Sequence, residues 1–274
     1  MKVTVLLVVR NCEKYISECI QSILTQTFDD FELLIVDDAS TDNTLGIIRT
    51  FKDKRIQTIC MERNNYIEAL NIGLKKAKGK YIARMDGDDI MFPHRLEKQV
   101  HLMESDSNIH VCSSWYECFG ISNNICKGSS GKVQYPLLSL LLNNILAHPT
   151  TMLRKSFLRK HQITYKEYYY AEDYKLWSDI AIAGGNFYVM PEILLKYRRT
   201  IHQISYIKSE EQSRTAFQIK QEILEHLLLN HFETDKNLIP LYEILASYNN
   251  ENELSGDAII RLFAEIFNLK MRKK

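Results

Sequence analysis

The sequence predicts an α/β fold, a mostly parallel sheet sandwiched by helices, and three observations predict it. Through the first hundred residues, apolar runs of strand length alternate with segments of helical period. The runs are apolar at both odd and even positions, as strands covered on both faces are. Polar residues gather just after the runs, at the carboxyl ends where such sheets bind their ligands.

Each element has its own signal. Val3 to Val9 is a continuous run of β-branched residues and leucine, and Tyr15 to Gln26 sets Ile16, Cys19, Ile20, Ile23 and Leu24 on one helical stripe. "FELLIVDD" from Phe31 is a second strand, and "DNTLGIIRTF" a short helix capped by Asp42. Ile56 to Cys60 is a third strand, Tyr66 to Ala77 a helix ended by Gly79, and Tyr81 to Met85 a fourth strand. From about Ile109 the rhythm changes to mixed strands and loops, followed by a helix from Glu172 to Ala183. Residues 206–274 read as helical, with Phe217, Ile219, Ile223, Leu224, Leu227 and Leu228 spaced for one apolar face.

Bulk composition narrows the functional classes. The chain has 274 residues, 45% of them apolar, enough to bury a full core. With 35 basic and 34 acidic side chains there is no global field to draw it to nucleic acid. The six cysteines form no CxxC pair and read as free thiols in a reducing compartment. Neither "MKVTVLLVVRN" nor "PLLSLLLNNILA" is long and apolar enough for a signal peptide or membrane span, so a cytoplasmic protein is expected.

Four stretches carry possible chemistry. In "YIARMDGDDIMFPHRLEKQ", Asp86, Asp88 and Asp89 crowd together at a strand end, where they repel unless a cation sits among them. Mg2+ or Mn2+ would suit, since either binds through one or two carboxylates and completes its shell with substrate phosphates. A solvated acidic turn before a helix opened by Pro93 is the plainer account. Asp37 and Asp38 follow another strand at the same crevice, or simply start a helix. Glu172 and Asp173, in "YYYAEDYKLWSDIAIAG", are either helix-end carboxylates favoured by the dipole or include a general base. His202, after Arg198 and Arg199 in "YRRTIHQIS", is a packing residue or part of a cationic group facing a diphosphate or metal.

Together these pieces resemble family 2 of the inverting glycosyltransferases, with the GT-A fold. The likeness runs over about residues 2–205 through "VTVLLVVRNCEKYISECIQSILTQTFDDFELLIVDDASTDNT", "ALNIGLKKAKGKYIARMDGDDIMFPHRLEKQ", "HPTTMLRKSFL", "AEDYKLWSDIAIAGG" and "YRRTIHQIS". It implies a nucleotide-sugar-binding half at 1–108, an acceptor-binding half at 109–205 and a helical C-terminal extension at 206–274. It implies that Asp38, with Asn11 beside it, reads the nucleotide base. Asp86 and Asp88 become the DxD motif, Asp86 toward the ribose and Asp88 toward the Mn2+ or Mg2+ ion and the diphosphate. Asp173 becomes the base that takes the acceptor proton, and His202 assists the metal or the leaving group.

The sequence also departs from the family pattern. Val8 stands where a proline is usual, and Leu70-Asn71 replaces an Arg-Asn pair, leaving Arg63 or Arg84 to supply the missing cation near the diphosphate. The resemblance further implies a nucleotide-sugar donor, by default a UDP-sugar, and a glycan or lipid-linked acceptor in cell-surface polysaccharide or lipopolysaccharide synthesis. The basic amphipathic tail "AIIRLFAEIFNLKMRKK" suits peripheral contact with the inner face of the cell membrane, a partner helix or plain packing. Two other enzyme classes would use an acidic crevice. A phosphotransferase or phosphatase of the haloacid dehalogenase type wants a nucleophilic aspartate after the first strand, where this chain has "RNCEK". A sugar nucleotidyltransferase wants a glycine-rich phosphate loop at the N-terminus, which is absent.

Overall fold

The computed structural model describes residues 1–201 and 203–231. The chain opens with β1 (Val3–Val9), α1 (Ile16–Leu24), β2 (Phe31–Asp37), α2 (Thr44–Thr50), β3 (Ile56–Cys60), α3 (Tyr66–Lys76) and β4 (Tyr81–Asp86). It continues through β5 (Ile90–Met91), α4 (Arg95–Ser105), β6 (Ile109–Gly120), β7 (Ile125–Cys126) and β8 (Gly131–Lys132). Then come α5 (Pro136–Leu142), a 3-10 turn at His148–Thr150, β9 (Met152–Arg154), α6 (Lys155–Lys160), α7 (Glu172–Ile182) and β10 (Asn186–Arg199). Two helices follow, α8 (Ile204–Ile207) and α9 (Ser209–His231).

These strands form one sheet in the order β3-β2-β1-β4-β9-β6-β10-β5, with β7 on β6 and β8 on β10. The predicted parallel half is present: β1 pairs in parallel with β2 and β4, and β2 with β3. Its central strands are apolar on both faces because both faces are covered, and every residue of β1 and β2 is buried. One layer sets Ile16, Ile20 and Ile23 of α1 against Val5, Leu7 and Ile35; the other sets Leu70 of α3 against Leu6 and Leu34. β3 differs from expectation, since it is an edge strand and only half-buried.

β9 is antiparallel to both β4 and β6, which leaves β6 running the same way as β4 and parallel to β10. The carboxyl ends of β1, β2, β4, β6 and β10 therefore share one edge. Element boundaries shift slightly from those predicted. α4 opens at Arg95 and not at Pro93, while α2 opens at Thr44 with Asn43 as N-cap and not Asp42. Asp42 still accepts from Thr44 N–H at 3.0 Å, from one position further out.

On α9, Ile219, Ile223, Leu224 and Leu227 are buried in the core that holds Leu176, Trp177 and Ile180 of α7. Phe217 is 52% exposed and lies off that face, contrary to the spacing argument. The side chain of Leu228 and the basic tail fall outside the described residues. None of the described helices is long and apolar enough to cross a membrane.

Candidate active site

β1 and β2 deliver the first polar pair. At the end of β1, Asn11 takes a left-handed φ of 52°, a conformation asparagine tolerates better than most residues. Its Oδ1 accepts from Thr41 N–H at 2.8 Å, and its own N–H donates to Ser40 Oγ at 3.0 Å. Asp38 is buried, and its Oδ1 accepts from Asn65 N–H at 2.6 Å. With the Asn64 amide oriented to satisfy both its atoms, that side chain donates to Asp38 Oδ2 and accepts from Arg10 Nη1, each at 2.7 Å. Burial raises the Asp38 carboxyl above its ordinary range, and the Asn65 N–H bond and the charge of Arg10 oppose the shift.

β4 delivers the acidic turn. Gly87 is required between the two aspartates, because a Cβ there would stand 2.9 Å from Val9 Cγ1 and 3.0 Å from Cys12 Sγ. Asp88 is driven up to about 6 by burial and then by the charge of Asp86. Asp89 is 1% exposed, and its Oδ1 accepts from Arg198 N–H at 2.8 Å. It ties the turn to β10.

The cations are placed differently from the sequence reading. Arg63 is 84% exposed beside Glu68. Arg84 is 1% exposed beneath the turn, where its Nη2 meets Asp86 Oδ1 at 2.7 Å and donates to Tyr66 Oη at 2.6 Å. Its Nε and Nη1 are buried without a hydrogen-bond partner. Arg198 is committed to the turn itself: Nε donates to Asp88 O at 2.7 Å and Nη2 to Glu18 Oε2 at 2.6 Å. Its guanidinium lies 4.3 Å from the ring centres of both Tyr15 and Phe119. Arg199 stacks over Tyr197 at 5.1 Å. His202 lies outside the described residues.

α7 supplies the second acidic pair at its first turn. Asp173 Oδ1 accepts from Tyr174 N–H at 2.6 Å and Oδ2 from Asn144 Nδ2 at 3.1 Å. Burial raises both Glu172 and Asp173; the neighbouring aspartate pushes Glu172 further, and the charge of Arg84 opposes both shifts. The electrostatic influence of Asp86 and Arg84 on both residues links the α7 pair to the β4 turn across one crevice. Tyr66 enters the sequence reading only as the start of a helix, and Asn64, Asn65 and Asn144 are not singled out there as site residues; the paired asparagines inside the apolar run "PLLSLLLNNILA" are the signal that could have found Asn144.

Among the described residues no group of three or more His, Cys, Asp or Glu side chains is arranged to hold a metal. Two carboxylates with a raised Asp88 fit a Mg2+ or Mn2+ shell completed by substrate oxygens, the sparse protein share these ions accept. A separate hollow of about 390 Å³, lined by Phe92, Trp115, Lys127, Pro191 and Leu194, contains none of these aspartates.

A parallel half joined to a mixed half in one sheet, with acidic turns at the carboxyl ends of its strands, is the GT-A fold. Residues 4–174 match the family described as glycosyl transferase family 2, and the chain belongs to that family. An uncharacterized glycosyltransferase of Haemophilus influenzae is 33% identical across 99% of this chain and 94% of its own length. The Escherichia coli enzyme WfaP, a UDP-Glc:alpha-D-GlcNAc-diphosphoundecaprenol beta-1,3-glucosyltransferase, is 33% identical over 66% of this chain and 71% of its own. Among solved structures, S. aureus TarS in complex with UDP-GlcNAc superposes with a TM-score of 0.71 at 20% identity, covering 91% of this chain and 73% of that one. The mannosyltransferase PcManGT from Pyrobaculum calidifontis, in complex with GDP-Man and Mn2+, superposes at 0.59 with 15% identity, over 98% of this chain and 85% of its own. The chain is therefore a glycosyltransferase.

Proposed function

We propose that this glycosyltransferase is inverting and metal-dependent, moving a sugar from a UDP-sugar to a hydroxyl of a lipid-linked or polysaccharide acceptor. The observation that carries the reading is that Asp86, in the acidic turn after β4, lies near enough for its charge to act on both Glu172 and Asp173 at the start of α7. Relatives that include a UDP-glucose-dependent enzyme acting on a diphosphoundecaprenol-linked sugar support the choice of donor and acceptor class.

Each residue has a task. Asp38 receives the base, in a pocket shaped by Asn11, Asn64 and Asn65. Asp86, fixed by Arg84, faces the ribose side, while Asp88 takes the metal. A divalent cation held there would neutralise charge on the departing diphosphate, an effect worth several kcal/mol in such sites. Asp173 accepts the proton of the acceptor hydroxyl as that oxygen attacks the anomeric carbon, and one displacement inverts the configuration. Asn144 and the Tyr174 N–H fix the carboxylate without exhausting its lone pairs. The role that the sequence suggests for His202, assisting the metal or the leaving group, falls on a residue outside the described ones.

The test is nucleotide-sugar turnover with Mn2+, read as free nucleoside diphosphate. Asp88→Ala is expected to lose metal-dependent donor binding. Asp173→Asn is expected to keep donor binding and lose at least about a hundredfold in turnover. Wild-type turnover by Asp173→Asn would remove the base from this scheme.

A further inference from the structure

Tyr170 is held in an unfavourable conformation two residues before the α7 carboxylates. Its φ is +66°, a region where a bulky side chain crowds its own backbone and where few residues other than glycine rest. Such a conformation persists only when its surroundings over-determine it. The Tyr170 carbonyl is held by α9, where Gln212 Nε2 donates to its oxygen at 2.7 Å, and just before that helix Lys208 Nζ lies 5.6 Å from the Tyr170 ring centre. Nearly three turns further along α9, Glu222 takes Tyr168 Oη on Oε1 at 2.5 Å and Lys175 Nζ on Oε2 at 2.7 Å. Lys175 is itself on α7, one turn after Glu172 and paired to Asp179 at 2.9 Å.

These contacts bracket the start of α7 from both sides. Tyr168 and Tyr170 precede Glu172 and Asp173, and Lys175 follows them. All three are anchored to one helix lying beyond residue 174, where the family match ends.

We propose that α9 sets the position of the Glu172-Asp173 pair, with Gln212 and Glu222 as positioning residues that keep Tyr170 left-handed and the first turn of α7 in place. The inference rests on the proposed role of Asp173 for its catalytic consequence. The geometric half stands without it. Neither residue touches substrate; each acts through the turn that aims the carboxylate.

The experiment compares wild type, Gln212→Ala, Tyr170→Gly and the double variant, with Asp173→Asn as control. Two readouts are taken: hydrogen exchange of peptides covering 168–174, and hydrolysis of UDP-glucose with Mn2+ alongside UDP affinity. Gln212→Ala is expected to speed exchange at 168–174 about tenfold with peptides from 1–108 unchanged, and to lower turnover about tenfold at unaltered UDP affinity. Tyr170→Gly in the same chain is expected to restore most of both, because glycine adopts the left-handed turn without strain. Wild-type exchange in Gln212→Ala, or a double variant as loose as Gln212→Ala, would overturn the proposal. Should Asp173→Asn turn over like wild type, the base assignment falls alone, and the exchange comparison still decides whether α9 holds the turn.

Discussion

Burial disfavours the ionised form of both Asp88 and Asp173, with consequences for stability and, in the proposed scheme, for activity. Asp173 is raised from 3.8 to about 6, with burial as the largest cause. A base works only when ionised, so turnover is expected to fall as pH drops through about 6, some two pH units above the limb an ordinary aspartate would give. A pH profile of nucleoside diphosphate release checks this, and a limb near 4 would contradict it. The stability consequence has the opposite sign. A carboxyl whose folded value exceeds its unfolded value stabilises the fold below its ordinary pKa and loses that contribution as pH rises through the folded value. Asp88, raised to about 6, therefore costs stability at neutral pH. In metal-free buffer Asp88→Asn is expected to increase unfolding free energy at pH 7 by on the order of 1–3 kcal/mol, with the gain vanishing near pH 4. Denaturant titrations at the two pH values measure it.

At the scale of elements, the acidic turn after β4 is shaped by β10, far away in sequence. Arg198 grips it at Asp88 O and, through its own N–H, at Asp89 Oδ1, and braces itself between Tyr15 and Phe119. A lysine cannot reproduce the planar fork or the stacking. Arg198→Lys is expected to weaken Mn2+-dependent UDP binding about tenfold, since a released turn no longer presents Asp88, and calorimetry reads the change directly. The contrast shows what local sequence can reveal. β1, β2, β4 and their carboxylates were legible because burial on both faces writes itself into continuous apolar runs and the ligand edge follows from the topology. The two-residue β5, the three-residue β9 and the pairing of Asp89 with Arg198, 109 positions apart, leave no periodic trace. Arg84 illustrates the same limit. Its charge was visible, but its burial against Asp86 and Tyr66 depends on α3 and β4 packing together.

At the scale of the whole molecule the near-zero net charge matters, because no broad positive field is available to hold a diphosphate. Affinity for that group must be built locally, yet the crevice offers carboxylates, and Arg84 and Arg198 are already paired to Asp86 and Glu18. In the proposed scheme a bare nucleoside diphosphate meets repulsion from Asp86 and Asp88, whereas the same ligand arriving with a divalent cation brings the missing charge. Thermal unfolding should register this as a cooperative pair. Mn2+ alone and UDP alone are each expected to move the midpoint little. Together, at about a hundredfold excess over the dissociation constant, they should add about 2.7 kcal/mol, roughly 5–10 °C for a chain of this size. Asp88→Asn should abolish the joint shift while leaving the protein at least as stable as wild type without ligand. A shift from UDP alone matching that of the mixture would mean that protein cations, and not a metal at Asp88, hold the diphosphate.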